Sequence, residues 1–394
     1  MSSIFGIMPC RIKSYQATLD GFKLTNHHLV AYNDVCNNGA NILIPAGYTD
    51  DIGSYFFVPY LSNLLSLNVE LTAKIFFSLY GLIALTIALF GINKLYTNKK
   101  SKIYGFIHIT LLALLFIYVG DNYSFYGSTC IMLIPLWLIL INTKKINLKN
   151  LILLSLFTGL IIGFSNIVRS HSGTSVLLSI LIFFIFSKKI KKNILKIFSI
   201  FIICMPIVII NLSFDYLKNK RAELLELDKY NIKLIERGIE TNTARAMWHN
   251  FYYSLGYLYS AKEYYPQAND TNSVKKAQSI EPDIILFSKK YENLLRKEYF
   301  SFILNNPISY FETLAAKAGV IIFYIIIFTN IGLLIFIKHK IINNTFYFFL
   351  GGIIFNSLFG IMATPEYSYL LGLFAYCVFF NINYYNLYTI KNEI

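Results

Sequence analysis

Charged residues are scarce in this chain of 394 residues, since Asp, Glu, Lys and Arg together make up only 14% of it. A soluble globular domain carries roughly 25% charged residues. Hydrophobic residues reach 56%, and the mean hydropathy is +0.53. This composition excludes an ordinary soluble domain and indicates an integral membrane protein.

Motifs that would mark a soluble enzyme are also absent from the sequence. It has no CxxC pair, no HExxH motif, no glycine-rich phosphate loop and no internal repeat, so zinc-dependent and nucleotide-binding chemistry have no motif to support them. The net charge of +14 does not point to nucleic acid. Much of the positive excess lies in short loops beside apolar segments, where lysine sets membrane topology.

Nine apolar segments come close to the roughly 20 residues that a helix needs to cross a bilayer. They lie near residues 71–93, 104–120, 127–142, 151–168, 173–187, 195–212, 318–337, 345–363 and 368–387. The predicted fold is therefore an all-α polytopic membrane protein of about nine transmembrane helices. The stretch 213–317 is predicted to form a mainly helical extracytoplasmic loop domain.

Lysine clusters separate the apolar segments and all fall on one side if every segment crosses the membrane. The clusters are Lys94/Lys99/Lys100/Lys102, Lys144/Lys145/Lys149, Lys188/Lys189/Lys191/Lys192, Lys338/Lys340 and Lys391. Short lysine-rich loops stay in the cytoplasm. Residues 1–70 and the loop 213–317 are therefore predicted to lie outside. Residues 71–212 are predicted to form the first membrane region, and residues 318–394 the second membrane region and a cytoplasmic tail.

The predicted outer N-terminal segment has no apolar run before residue 54 that is long enough for a signal peptide or anchor. We expect either a first transmembrane helix upstream, the explanation we favour, or insertion of the first helices as a pair. The segment 54–68 predicts a helix that lies in the membrane interface or is re-entrant. Cys10 and Cys36 share this side, and they can form a disulfide if that compartment is oxidising.

Acidic residues on the predicted outer face are candidates for chemistry. Asp50 and Asp51 stand just before the segment 54–68, where one carboxylate suits a general base and the pair suits a divalent cation. The alternative is that they cap the helix. Asp121 lies at the next outer turn, where it is either a second acidic site or part of a solvated turn.

Basic and aromatic residues form the remaining candidates. Arg169 and His171 end an apolar helix in the string VRSHSG, and a guanidinium fork there suits a phosphate. The alternative is an arginine that extends to the interface. Lesser candidates for a binding site are Arg245, Trp248 and His249 in the large loop, and Glu366 and Tyr367 at the last outer turn.

The order of these motifs resembles a known family. YTDD, GDNYSFYG, VRSHSG and a late loop with WHNFYYSLGYL precede PEYSYLLGLF at the last apolar segment. The pattern is similar to the membrane-embedded glycosyltransferases of the C-type superfamily (GT-C), in the bacterial branch that resembles protein mannosyltransferases and lipid A aminoarabinose transferases.

This resemblance implies an enzyme of the bacterial cytoplasmic membrane. Such an enzyme moves a sugar, with inversion, from a polyprenyl-phosphate-linked donor to a lipid or glycan acceptor of the cell envelope, on the outer face. The base that takes the acceptor proton would be Asp50 or Asp51, with Asp50 the first choice, and Asp121 matches the second outer acid. The implied partners are the donor, the acceptor and membrane lipids, with no nucleic acid.

Two other function classes fit a chain of this kind. A surface-polysaccharide polymerase or ligase depends on arginine and histidine in outer loops, so Arg169, Arg245 and His249 would be central and Asp50 expendable. A transporter or flippase carries ionisable residues at the midplane and inverted repeats. Lys74 and His108 are the main ionisable candidates inside the apolar segments, and no repeat is visible.

Overall fold

The computed structural model of the chain describes residues 7–37, 39–46, 51–143, 146–187, 189–190, 193–227, 232–234, 236, 247–259, 266 and 268–393. Two strands lie near the N-terminus, β1 (Val30–Asp34) and β2 (Gly39–Pro45). The helices are α1 (Pro9–Thr25), α2 (Ile52–Leu65), α3 (Val69–Leu95), α4 (Lys99–Val119), α5 (Ser124–Asn142), α6 (Leu148–Val168), α7 (Thr174–Phe186), α8 (Asn193–Leu225), α9 (Met247–Ser254), α10 (Asp270–Ile280), α11 (Lys289–Asn305), α12 (Pro307–His339), α13 (Asn344–Met362) and α14 (Leu371–Glu393).

Within the described residues, seven helices are long and apolar enough to cross a membrane, namely α3, α4, α5, α6, α8, α12 and α13. The chain is therefore a multi-pass helical membrane protein, as predicted. The other two predicted spans are also helical. α7 has 13 residues, which at about 1.5 Å per residue is short for a bilayer. α14 is not among the seven, and it lies largely buried among the other helices.

Local sequence sets where many of these helices begin. The side chains of Asn68, Asn98, Asn147 and Asn343 each accept a backbone N–H from the first turn of the helix that follows. Asparagine is a favoured N-cap because its oxygen satisfies a donor that has no partner inside the helix. Asn306 and Pro307 separate two helices, since α11 ends at Asn305 and α12 starts at Pro307.

The N-terminal segment adds two short strands to the predicted helical fold. β1 and β2 pair antiparallel, with Ala31 opposite Ile44, and they pack on α1. Gly21 of α1 permits this close approach, because a Cβ there would lie 2.2 Å from the carbonyl oxygen of Val30. The apolar runs that form these strands are only a few residues long, too short to span a membrane and ambiguous between helix and strand in the sequence.

Membrane helices extend beyond the boundaries predicted for the loop domain. α8 continues past residue 212 to Leu225, and α12 already begins at Pro307. Between them, α9, α10 and α11 share an apolar core that includes Tyr252, Ala277 and Leu295. The described part of the loop is therefore a small helical cluster of its own, which packs beside the ends of α12 and α13.

One membrane helix is broken and repaired inside the bundle. Asn330 of α12 has a non-helical backbone with φ 42° and ψ −122°. The nearby Gly332 N–H donates to Asn381 Oδ1 of α14 at 2.8 Å, and Asn381 Nδ2 donates to the Tyr104 hydroxyl at 2.9 Å. A bilayer offers no water to a freed N–H group, so the buried amide of α14 satisfies the break.

The helix order places the N-terminal segment, the helical cluster and the turns α4–α5 and α6–α7 at one end of the bundle, called here the cavity end. The described lysines of the clusters listed above lie toward the other end. Cys10 and Cys36 form a disulfide at the cavity end, joining the start of α1 to the 3₁₀ turn Val35–Asn37. Disulfides form and persist mainly in oxidising compartments.

We expect this disulfide to report the orientation of the chain. In intact cells, Cys10 and Cys36 should react with a membrane-impermeant maleimide only after a membrane-impermeant reductant is added, because the lysine loops are predicted to lie inside. The matched background is the double variant Cys10→Ser/Cys36→Ser, which keeps the buried or half-buried Cys130, Cys204 and Cys377. Labelling that requires permeabilised membranes would contradict the predicted orientation.

Candidate functional site

Four charged side chains form a buried ion network at the cavity end. Arg11 Nη1 lies 3.2 Å from Asp51 Oδ2, and Arg11 Nε lies 3.4 Å from Asp121 Oδ1. Arg169 Nη1 donates to both oxygens of Asp51, at 2.9 and 2.7 Å. Asn122 Nδ2 adds a donor to Asp51 Oδ2 at 2.6 Å. The network thus balances two guanidinium groups against two carboxylates.

Each member comes from the end of a different element. Arg11 lies in the first turn of α1, and Asp51 immediately precedes α2. Asp121 follows Gly120, whose left-handed backbone (φ 60°) ends α4, and Arg169 is the residue after α6. Helix ends that meet at one end of a bundle bring these side chains together although the sequence separates them widely.

Burial decides between the alternatives left open for three of these residues. Asp51 does not cap α2, because its side chain accepts no hydrogen bond from that helix. Asp121 is not in a solvated turn, and Arg169 does not extend to the interface. None of the four charged side chains is more than 12% exposed. Such charges are tolerated only when paired.

The electrostatics keep both arginines charged. Burial by itself lowers the pKa of Arg11. The carboxylate of Asp121 and other nearby groups together raise that pKa by more than burial lowers it, so the net shift is upward. Burial likewise opposes the charge on Arg169, and Asp51 contributes most to the net rise of its pKa. Both arginines therefore stay protonated, each beside a carboxylate that balances its charge.

Arg169 also lies within a group of tyrosines. Its guanidinium carbon is 4.1 Å from the ring centroid of Tyr123, 5.5 Å from that of Tyr126 and 5.7 Å from that of Tyr369. Aromatic faces stabilise a cation by their quadrupole. Its Nε is buried and has no hydrogen-bond partner among the described residues, so one donor of the guanidinium is held in place and unused.

A cavity of about 910 Å³ opens beside Arg169. From α13 it is lined by Phe355, Leu358, Phe359 and Met362, which follow the i, i+3, i+4, i+7 spacing of one helix face. This set is called here the apolar stripe. The cavity therefore joins an uncharged surface of a membrane helix to a buried cation.

The helical cluster supplies a different lining. Lys289, Glu292 and Asn293 of α11 line the cavity together with Trp248 and Asn250 of α9. These five residues are called here the polar lining. His171 lines the cavity as well, in a left-handed backbone conformation with φ 65°. A non-glycine residue in that conformation is strained, which is common at functional sites.

Glu292 is the carboxylate of the polar lining. Its oxygens accept the backbone N–H groups of Trp248 at 2.7 Å and His249 at 3.3 Å, at the start of α9. Burial raises the pKa of Glu292, and these N–H donors offset part of the rise. The carboxylate is therefore held rigidly between α11 and α9.

The predicted site residues fall into four groups. Arg169, His171 and Trp248 line the cavity. Asp51 and Asp121 belong to the ion network, and neither is among the described lining residues. Asp50 and Arg245 lie outside the described residues.

His249, Glu366 and Tyr367 do not line the cavity. His249 is buried in the helical cluster, with Nδ1 2.6 Å from the Tyr291 hydroxyl. Glu366 accepts a hydrogen bond from Thr364, and Tyr367 is exposed. These three therefore lie apart from the cavity in this structure.

Sequence reasoning missed Arg11 and the α11 members of the polar lining. Arginine is rare in this lysine-rich chain, and an arginine suits a buried pair better than a lysine does. The presence of arginine rather than lysine at position 11 was therefore the available sequence signal. For Lys289, Glu292 and Asn293 the i, i+3, i+4 spacing was visible, but it is equally typical of a solvated helix face.

The described residues do not suit a divalent cation at Asp51, because two guanidinium groups already contact its carboxylate. Among the described residues there is also no group of three His, Cys, Asp or Glu side chains with metal-ligand geometry.

No protein-family model, no curated protein and no solved structure matches this chain. The fold and the site define a class all the same. The chain is a multi-pass helical membrane protein with a buried ion network beside a cavity that is apolar on the α13 side and polar on the side of the helical cluster.

Proposed function

We propose that the chain is a membrane glycosyltransferase that moves a sugar from a polyprenyl-phosphate-linked donor to an acceptor of the cell envelope. The observation that carries the proposal is the composition of one cavity. It joins an apolar stripe, a buried arginine and a polar lining, and a lipid-linked sugar has an apolar chain, a phosphate and a polar ring in that order.

The apolar stripe suits the lipid part of such a donor. It belongs to α13, which is apolar enough to cross a membrane, and Leu358 is exposed. The stripe therefore offers an isoprenoid chain an uncharged surface. Burying isoprene units against these side chains is favourable by roughly 25 cal/mol per Å² of apolar area.

Arg169 suits the phosphate. Asp51 accepts hydrogen bonds from Arg169 Nη1 and so fixes the guanidinium, while Arg169 Nε remains a donor without a protein partner among the described residues. A fixed cation in a site with little water binds an anion more strongly than one that must be ordered first. Asp51 then acts by positioning Arg169, since both of its oxygens already accept hydrogen bonds.

The base remains Asp50, on the strength of the sequence resemblance. It takes the proton of the acceptor hydroxyl, the acceptor oxygen bonds to the anomeric carbon, and the bond from that carbon to the phosphate oxygen breaks. The polyprenyl phosphate leaves with the electron pair. Asp50 directly precedes Asp51, so the ion network anchors the chain next to it.

A polymerase or ligase of surface polysaccharide is the second candidate, and one observation favours it. Arg169 and His171 line the cavity, whereas Asp51 does not. The two candidates separate by mutation. In the first, Asp50→Asn stops sugar transfer in membranes; in the second, Asp50→Asn is tolerated and Arg245→Gln stops it.

Binding tests the proposal directly. We expect the purified full chain to bind citronellyl phosphate, a short isoprenyl phosphate, and to bind it about tenfold more weakly after Phe359→Ala, because an apolar contact is lost. Phe323→Ala is the matched control, since Phe323 is exposed on α12 and does not line the cavity. Absence of saturable binding by the unmodified chain would exclude the proposed donor.

A further inference from the structure

The polar lining carries more chemistry than a phosphate needs. Lys289, Glu292 and Asn293 stand at i, i+3 and i+4 of α11 and so share one face. The other face of α11 packs into the core of the helical cluster through Tyr291 and Leu295. The face toward the cavity is therefore held by a rigid helix.

Glu292 presents a fixed acceptor in this lining. It is buried, and both oxygens already accept backbone N–H groups of α9. A carboxylate oxygen has two lone pairs, so each can accept a second donor from the cavity. Among the described lining residues it is the only carboxylate.

Trp248 adds an aromatic surface that other rings hold in place. Its ring centroid lies 5.5 Å from those of Phe251 and Phe300 and 5.8 Å from that of Tyr299. Binding sites combine such rigid apolar faces with a few placed polar groups. A pyranose has C–H groups on its faces and hydroxyls at its edge, so it matches an aromatic face beside polar side chains.

The amide side chains complete the match. Asn250 and Asn293 line the cavity, and neither side chain is hydrogen-bonded to another described residue. Each amide supplies both donors and an acceptor, as a hydroxyl does. Donors and acceptors that face a cavity together therefore suit a ring with several hydroxyls.

From this placement we infer that the polar lining is the subsite for the sugar ring of the donor. The Glu292 carboxylate accepts hydrogen bonds from the sugar hydroxyls, Asn293 donates and accepts them, and Trp248 packs against the C–H face of the ring. The inference rests on the proposed function. It divides the cavity so that Arg169 takes the phosphate and the helical cluster selects the sugar.

Tryptophan fluorescence tests this division in the full chain. The sequence has two tryptophans, and Trp137 is fully buried within α5, so Trp248 is the reporter and Trp248→Phe the blank. The probes are citronellyl phosphate and a panel of citronellyl phosphoryl sugars. We expect at least one sugar to tighten binding about tenfold over the sugarless probe.

Three variants locate the sugar contacts. Asn293→Ala, Asn250→Ala and Glu292→Gln should each weaken the favoured sugar probe about fivefold to tenfold, as loss of a hydrogen bond does, and leave the sugarless probe within about twofold. Asn305→Ala is the matched control, because Asn305 lies on α11 away from this cavity. Glu292→Gln also alters the hydrogen bonds at the start of α9. If that variant unfolds, Asn293→Ala and Asn250→Ala still test the inference.

The outcomes separate the inference from the proposed function. Sugarless binding with no gain from any sugar, or equal weakening of both probes by the amide variants, overturns the sugar subsite alone. Failure of both probes to bind the unmodified chain overturns the proposed function, and the subsite with it.

Discussion

Arg169→Gln should weaken the binding of citronellyl phosphate at least about 100-fold. The variant loses a charged donor whose hydrogen bonds are worth ~1.5–3 kcal/mol each, and it leaves Asp51 with one guanidinium instead of two. Arg169→Lys should bind the probe with an intermediate affinity, because an ammonium keeps the positive charge but lacks the planar N–H donors of the guanidinium. The measurement is the dissociation constant from Trp248 fluorescence.

Loss of binding must be separated from loss of fold in this experiment. The double variant Arg169→Gln/Asp51→Asn removes charges of both signs, so it should recover most of the thermal stability and none of the phosphate affinity. Arg296→Gln is the matched control, since Arg296 is exposed on α11 and does not line the cavity. Wild-type affinity in Arg169→Gln would show that the phosphate binds elsewhere.

Arg11→Gln should be the most destabilising single substitution at the cavity end outside the cavity lining. It leaves the buried Asp121 without its cation, and removing one partner of a buried pair costs about 3–5 kcal/mol. The loss appears as a lower thermal midpoint of the purified chain. Lys13→Gln on the same helix is the control, because Lys13 is exposed and such substitutions change stability by about 0.5 kcal/mol or less.

A double-variant cycle identifies the cause. If the effect is an uncompensated charge, Arg11→Gln/Asp121→Asn should be more stable than Arg11→Gln alone, since neither charge is then buried without a partner. Additive losses would contradict this explanation and would assign Arg11 a packing role. Arg11 also contacts Asp51, so full recovery is not expected.

Much of the membrane fold was predictable because its signals are local. Each of the nine apolar segments is helical, and a run of apolar residues identifies itself without reference to its neighbours. The break before α12 has a local cause as well, since Pro307 lacks the N–H that a continuing helix needs. The strands β1 and β2 were missed because short apolar runs suit helix and strand equally.

The candidate site was predictable only in part. Arg169 stood out, because a charge at the end of an apolar helix requires an explanation. Its pairing with Asp51 could not be predicted, since the two residues are 118 positions apart in the chain. The capping interpretation of Asp51 was reasonable from its place before α2, and the nearby arginines overrode it.

From the sequence alone came the class of the protein, its helices and the predicted orientation, because hydropathy and lysine placement act through the solvent and need no long-range partner. Only the tertiary structure decided which charges neutralise one another and which polar residues face the cavity. Ion pairs and cavity linings form between helix ends that are distant in the chain, and their energies depend on the burial that packing creates.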